Sequence, residues 1–423
     1  MASVKIKKQN NKDFNLEELK QLTNDQLIEK IKSLQAHNVQ LKTLLIKSST
    51  ETKTSVNRLK KPFDSSKYLF RHVLLKFFYL GWDYQGFVVQ EDTTKTIEHY
   101  LFESLTRTCL IKDRESSNYH RCGRTDKGVS SFGQVISIDL RSKLSADNQH
   151  DIENELDYCK LLNRVLPDNI QCVAWSPVKS DVSARFDCTG RTYKYFFPKS
   201  CLNIEKMSRA ANNLLGTHDF RNFCKMDVGN GVVEYIRNIL FINISLFDEN
   251  DTEDNERTMY VITIRGKAFL WHQIRCIMAV LFLIGEGKEE ETIIDELLDV
   301  NKNSRKPEYF MASEVPLNLF QCDYDIENNW RYDESSLSIV KAKLKSMWTF
   351  HNIKGTMILS MLNELDRSCP TDLEIQNYLH LENKTKRYIP LMARKRCESL
   401  EEKIKHYVKR SRLEIHNEPE STT

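Results

Sequence analysis

Along residues 16–47 the side chains Leu27, Ile31, Leu34, Asn38, Leu41 and Leu45 recur at spacings of 4, 3, 4, 3 and 4, with no glycine or proline in the segment. Thr23-Asn24-Asp25-Gln26 resembles a capping box just ahead of this stripe, so a helix is predicted, either a short coiled coil or an amphipathic helix docked on its own core. The Ser-, Thr- and Lys-rich stretch 48–66 predicts a linker. Globular patterning starts near Tyr68. Val73-Leu74-Leu75-Lys76-Phe77-Phe78-Tyr79 predicts a strand leading to Gly81 and Gly86, and Ile97, Leu101 and Leu105 mark one face of a helix over 96–110. Over 135–140, Ile136, Ile138 and Leu140 alternate with Ser137 and Asp139, as a half-buried strand requires. Further along, strands are predicted over 191–197, 236–247 and 259–265, the last two flanking an acidic loop at 248–256. Helices are predicted over 207–215, closed by Gly216, then over 270–283, long and buried, and over 292–300, short and amphipathic. Strands and helices mingle without a strict βαβ period, which indicates an α+β architecture on a largely antiparallel sheet. Beyond about residue 327 the composition turns helical and basic.

Composition narrows the class. The chain has 423 residues, 40% hydrophobic, with 13 glycines and 9 prolines, enough for two or three domains and far from collagen-like or low-complexity sequence. A mean hydropathy of −0.51 argues against a polytopic membrane protein, and the longest apolar run, 276–284, is too short to span a bilayer. Met1-Ala2-Ser3-Val4-Lys5 lacks an apolar leader, which speaks against secretion. The eleven cysteines form no Cys-x-x-Cys pair, so neither a zinc site nor a redox dithiol is expected, only free thiols in a reducing compartment.

A net charge of +3 hides a division. Residues 1–62 carry 13 Lys/Arg against 6 Asp/Glu, and residues 384–412 carry 11 against 3, leaving an acidic middle. Basic ends suggest a polyanion such as nucleic acid, the plain alternative being solvated helix faces. The richest chemistry lies in His120-Arg121-Cys122-Gly123-Arg124-Thr125-Asp126-Lys127-Gly128-Val129. Here an acid sits between two glycines and is crowded by Arg121, Arg124 and Lys127, which would hold Asp126 ionised. Such a loop reads as a structural salt bridge, a catalytic carboxylate or an anion site; the cations disfavour a metal.

Gly123-Arg124-Thr125-Asp126-Lys127-Gly128-Val129 resembles the catalytic loop of the TruA family of tRNA pseudouridine synthases. Its flanks, 116–122 and 132–137, look like the eukaryotic branch acting on positions 38 and 39 of the anticodon stem-loop. Tyr79-Leu80-Gly81-Trp82-Asp83-Tyr84 is similar to the family's first strand and turn, although the usual Tyr-Asp-Gly is here Tyr79-Leu80-Gly81. Ser183-Ala184-Arg185-Phe186, Gly190-Arg191-Thr192-Tyr193-Lys194-Tyr195, Leu215-Gly216-Thr217-His218-Asp219-Phe220, Arg237-Asn238-Ile239 and Ala268-Phe269-Leu270-Trp271-His272-Gln273-Ile274-Arg275 continue the likeness in order. It covers about 68–324.

The resemblance implies two TruA-like lobes, 67–182 and 183–327, each an antiparallel sheet backed by helices, with a cleft between them, plus helical extensions at 1–66 and 328–423. It implies a cofactor-free, metal-free tRNA isomerase with Asp126 as the catalytic carboxylate. Arg275 would pair with that aspartate, and Tyr193 would stack on the flipped base and take the C5 proton. Arg124 would help displace the base from its stack, with Leu317 closing the pocket and Phe269 lining it. A homodimer is likewise expected. The charge division, and not the resemblance, makes the basic ends candidates for gripping the tRNA body, and residence in nucleus and cytoplasm is expected, the nuclear part from the lysine and arginine clusters. A non-catalytic tRNA-binding or tRNA-folding protein on the same scaffold is the competing reading. A glycoside hydrolase lacks a second carboxylate near the loop.

Overall fold

Strand β1 (Phe70–Tyr79) begins the globular unit, and its residues alternate between two apolar surfaces: Val73, Leu75, Phe77 and Tyr79 on one side, Leu74 and Phe78 on the other, all buried. In this computed structural model residues 64–248, 255–326, 330–368 and 387–416 are described, and the chain divides after Asp64, with the sheet and its helices in the unit Ser65–Thr423. The predicted heptad helix at 16–47, nearly all of the 48–66 linker and the middle of the acidic loop lie outside the described residues.

After β1 come helix α1 (Ile97–Arg107), strands β2 (His120–Arg121) and β3 (Ser130–Arg141), helix α2 (Tyr158–Asn163) and strand β4 (Ile170–Pro177). The second half holds β5 (Cys188–Pro198), α3 (Ile204–Asn212), β6 (Gly216–Asp219), β7 (Ile236–Leu246), β8 (Met259–Gly266), α4 (Gln273–Gly285), α5 (Ile293–Leu298) and β9 (Leu317–Tyr324). The C-terminal region adds α6 (Glu334–Ser368) and α7 (Leu400–His416). The α+β expectation is met by a central, mostly antiparallel sheet backed by helices. The sheets of the two halves are joined, in the order β4-β1-β3-β9-β5-β8-β7-β6, with β2 on β3. The seam is a short parallel pairing, Ser130 opposite Asn318 and Ser131 opposite Leu319. Two large cores flank it, one under α1 and α2, the other around α3, α4 and α5.

Local chemistry explains most boundaries. Helix α3 starts three residues earlier than the apolar spacing suggests because the Asn203 side chain accepts from Lys206 N (2.9 Å), and Asp157 caps α2 the same way. Gly216, at φ +93°, opens β6 rather than closing the helix. Every residue of α4 is buried, as its apolar sequence requires. Strand β3 departs from the half-buried expectation: Ser137 is fully buried and its hydroxyl accepts from Ala184 N (3.1 Å), because the 178–188 segment covers the polar face. Among the described residues no helix is long and apolar enough to cross a membrane.

Candidate active site

Asp126 lies on the turn between β2 and β3, at the wall of a cavity of about 560 Å³, within the size range of small-molecule sites. The turn is pinned from the β1 side. Phe87 N donates to Thr125 O (3.1 Å), Gly128 N to Tyr84 O (3.2 Å), and the buried Tyr79 hydroxyl meets Thr125 Oγ1 at 2.8 Å. Two glycines are required for different reasons. Gly128 adopts φ +79°, and a Cβ on Gly81 would sit 1.9 Å from the Val129 carbonyl oxygen.

The segment ahead of α4 supplies the contacts to the carboxylate. Trp271 Nε1 donates to Asp126 Oδ1 at 3.0 Å, and His272 Nε2 lies 3.4 Å from Oδ2. His272 holds a left-handed backbone, φ 62°, which a non-glycine residue adopts at a cost of about 1 kcal/mol. Burial, then the charges of Arg275 and Lys225, pull its imidazole down to about 4. The ring is therefore neutral near pH 7, and its approach to Asp126 is a long polar contact and not an ion pair. Lys225 Nζ sits 4.2 Å from the Trp271 ring centroid.

The electrostatics differ from the sequence expectation. Arg121 does not crowd Asp126; it turns away to the fully buried Glu98 (2.8 Å), which also accepts from Arg114 (3.1 Å) and Tyr119 (2.8 Å). Arg275 does not pair with Asp126 directly; its guanidinium bonds Glu314 Oε2 (2.7 Å) and the Ala312 carbonyl (2.8 Å), so it acts on Asp126 through space. Nor do cations set the acidity of the carboxyl. Burial is the largest influence and pushes Asp126 above the usual carboxylate range, opposed by the Trp271 hydrogen bond and the charges of Arg275 and Lys225, with Glu314 adding to the rise.

Aromatic rings line the same cavity as the carboxylate. Tyr193 on β5 meets Phe269 edge to face, centroids 5.3 Å apart at 83°, and burial pushes its phenol up, so it is neutral in the free protein. Leu317, the buried first residue of β9, lines the same space, as do Arg275 and the exposed Arg124. The cavity thus gathers all six residues singled out by the sequence. It adds Trp271, His272 and Lys225 as neighbours of Asp126, with Glu314 behind Arg275. Trp271 and His272 stand inside the 268–275 motif, which assigns them no role; Lys225 and Glu314 carry no sequence signal.

Comparison with known proteins supports the same direction. Residues 210–325 match a family profile described as tRNA pseudouridine synthase. The chain is 45% identical over 387 residues to the tRNA pseudouridine(38/39) synthase of Bos taurus, covering 84% of this chain and 80% of that protein. It is 42% identical over 422 residues to the Homo sapiens protein of the same name, covering 92% and 86%. The Saccharomyces cerevisiae protein of that name is 40% identical over 291 residues, covering 66% and 63%. Likeness of this extent spans the β1 turn, the 123–129 loop and the α4 segment that together wall the cavity: the chain belongs to the tRNA pseudouridine synthase family.

Proposed function

We propose that the protein isomerises uridine to pseudouridine in the anticodon stem-loop of tRNA, at positions 38 and 39, as its relatives' names state for them. The observation that carries this reading is one carboxylate, Asp126, partly buried and hydrogen-bonded by Trp271 in the wall of a cavity that the Tyr193–Phe269 ring pair also lines. The reaction breaks the N1–C1′ bond, turns the uracil and joins C5 to C1′; a proton leaves C5 and one is gained at N1, with no net redox change. Asp126 serves as nucleophile at C1′ or as base at C2′, and both routes need it ionised. A carboxylate of raised pKa is the stronger base once ionised. Tyr193, neutral in the free protein, suits stacking on the flipped base, and taking the C5 proton requires a proton acceptor or a shift on substrate binding. A base inside a stem must be flipped out at a cost of a few kcal/mol. Arg124, Lys127, Arg185, Lys225 and Arg237 around the cavity supply cations for the RNA backbone.

A binder without chemistry is disfavoured because a half-buried carboxylate facing a polyanion weakens binding unless it reacts. The test is pseudouridine formation on unmodified tRNA transcripts, read site by site, for wild type and Asp126→Asn, with a binding curve for each. Activity at 38 or 39 that vanishes in the variant while affinity stays within a few fold supports the reading; tRNA binding by both without pseudouridine overturns it.

The homodimer reading is supported by exposed apolar side chains on α6: Phe350, Ile353, Met357, Met361 and Leu365 recur at helical spacing and suit a second copy of the chain. For the tRNA body, exposed Arg387, Lys395 and Lys405 remain candidates. Tyr388 does not, since its hydroxyl donates to Glu289 (2.5 Å) and Arg394 covers its ring. Residence in nucleus and cytoplasm is proposed with this function, the nuclear part on the lysine and arginine clusters.

A further inference from the structure

Three cysteines far apart in the sequence converge behind the candidate active site. Cys122 immediately precedes Gly123 of the 123–129 loop, Cys188 begins β5, which carries Tyr193, and Cys322 lies on β9, which begins with Leu317. Their Sγ atoms all lie within 4.8 Å of one another. Cys122 and Cys188 are buried and Cys322 is partly so.

The backbone under each sulfur is fixed. Cys122 N donates to Val135 O at 2.9 Å, and its carbonyl accepts from Arg191 Nη2 at 2.8 Å. Cys322 stands opposite Arg191 in the β5–β9 ladder, and Cys188 opposite Tyr324. Thiolates about 2.3 Å from a shared ion lie roughly 3.8–4.0 Å apart. The three sulfurs are therefore close enough to share one ion after small side-chain adjustments, with no strand displacement needed. The walls are apolar, Leu74, Val135 and Ala184, while Arg191 interacts electrostatically with all three sulfurs and Lys76 with that of Cys322. Three thiolates around a divalent ion leave one negative charge, which Arg191 offsets.

We propose that Cys122, Cys188 and Cys322 form a binding site for a thiophilic closed-shell metal ion, zinc(II) or copper(I), that ties the start of the 123–129 loop to β5 and β9. Soft thiolate sets select such ions, and binding releases the thiol protons to solvent. Sequence spacing predicts no such site because each ligand comes from a different segment of the chain. The site is structural and does not depend on the function proposed above.

The full-length protein, prepared under reducing conditions, is loaded separately with zinc(II) and copper(I), desalted and assayed for metal by elemental mass spectrometry. Retention of about one equivalent per chain is expected for one of the two, with the two arms deciding which. The metal is lost in Cys122→Ser, Cys188→Ser and Cys322→Ser and kept in Cys201→Ser, an exposed cysteine elsewhere. Should the serine variants fail to fold, thiolate-to-metal charge-transfer absorption of the wild type decides, read on loading with cobalt(II) in place of zinc(II) and on loading with copper(I): bands with either ion support the site, and their absence with both overturns it. The proposal also falls if folded wild type retains neither ion, if a disulfide within the trio excludes metal under reducing conditions, or if folded serine variants retain metal as wild type does.

Discussion

At the scale of single residues the cavity sets acidity by burial first and by hydrogen bonding and charge after it, with measurable signs. Asp126 has its pKa raised on folding, so above that value its ionisation costs stability, and in acid it does not. Asp126→Asn should therefore raise the thermal midpoint at pH 7, lose that advantage in acid, and lower the chemical rate by about 10²–10⁴-fold. His272 runs the other way. Its pKa drops from 6.5 to about 4, so its contribution is present at neutral pH and is lost as pH falls from about 6.5 through 4; His272→Gln should flatten that part of a stability–pH curve. Glu314 raises the Asp126 pKa and Arg275 lowers it. Glu314→Gln should shift the acid limb of the pH–rate profile to lower pH, and a shift to higher pH would contradict this electrostatic order. At this scale the sequence is legible wherever a motif keeps residues together: Asp126 with Arg124, and Phe269 with Arg275. It is not legible where charge partners are chosen by packing. Arg121 finds Glu98 and Arg275 finds Glu314 because those carboxylates are presented by other elements, at separations of 23 and 39 residues.

At the scale of elements, α1 does more than cover the sheet. Its first turn buries Glu98, which collects Arg114, Arg121, Tyr119 and the Val89 amide and so anchors the approach to the 123–129 loop. Glu98→Ala would strand two cations and should destabilise the fold by about 3–5 kcal/mol in chemical denaturation. Helix α6 presents the opposite case, buried at Ser336 and Val340 and largely exposed beyond. Met357→Glu with Met361→Glu should shift a dimer toward monomer in sedimentation analysis, leaving the fold intact. Elements with clear periodicity, α1, α4, β7 and β8, are readable in the sequence to within a few residues. Strand β4 is not, because Ile170–Pro177 is buried on both faces and so lacks the alternation that marks a strand. Likewise β9 sets polar Asn318, Gln321 and Asp323 among its apolar residues, and Asn318 is occupied across the seam, where its side chain accepts from Phe132 N at 2.9 Å.

At the scale of the whole molecule, charge is unevenly spread: basic residues rim the cavity and crowd the C-terminal segment, while the middle of the chain is acidic. Deleting residues 384–423 should weaken tRNA binding and make the dependence of log affinity on log salt shallower, by about 0.7–0.9 for each phosphate no longer neutralised. An unchanged slope would remove this segment from the RNA interface. The parallel join of β3 to β9, Ser131 opposite Leu319, has a consequence for how the chain is made. The sheet can close only after residue 324 has been synthesised, so during translation β3 and β5 wait with unpaired edges. A chain terminated before β9 would keep both edges open and tend to aggregate rather than survive as a half-active fragment. Premature stop codons should then act as complete losses as far downstream as the end of β9.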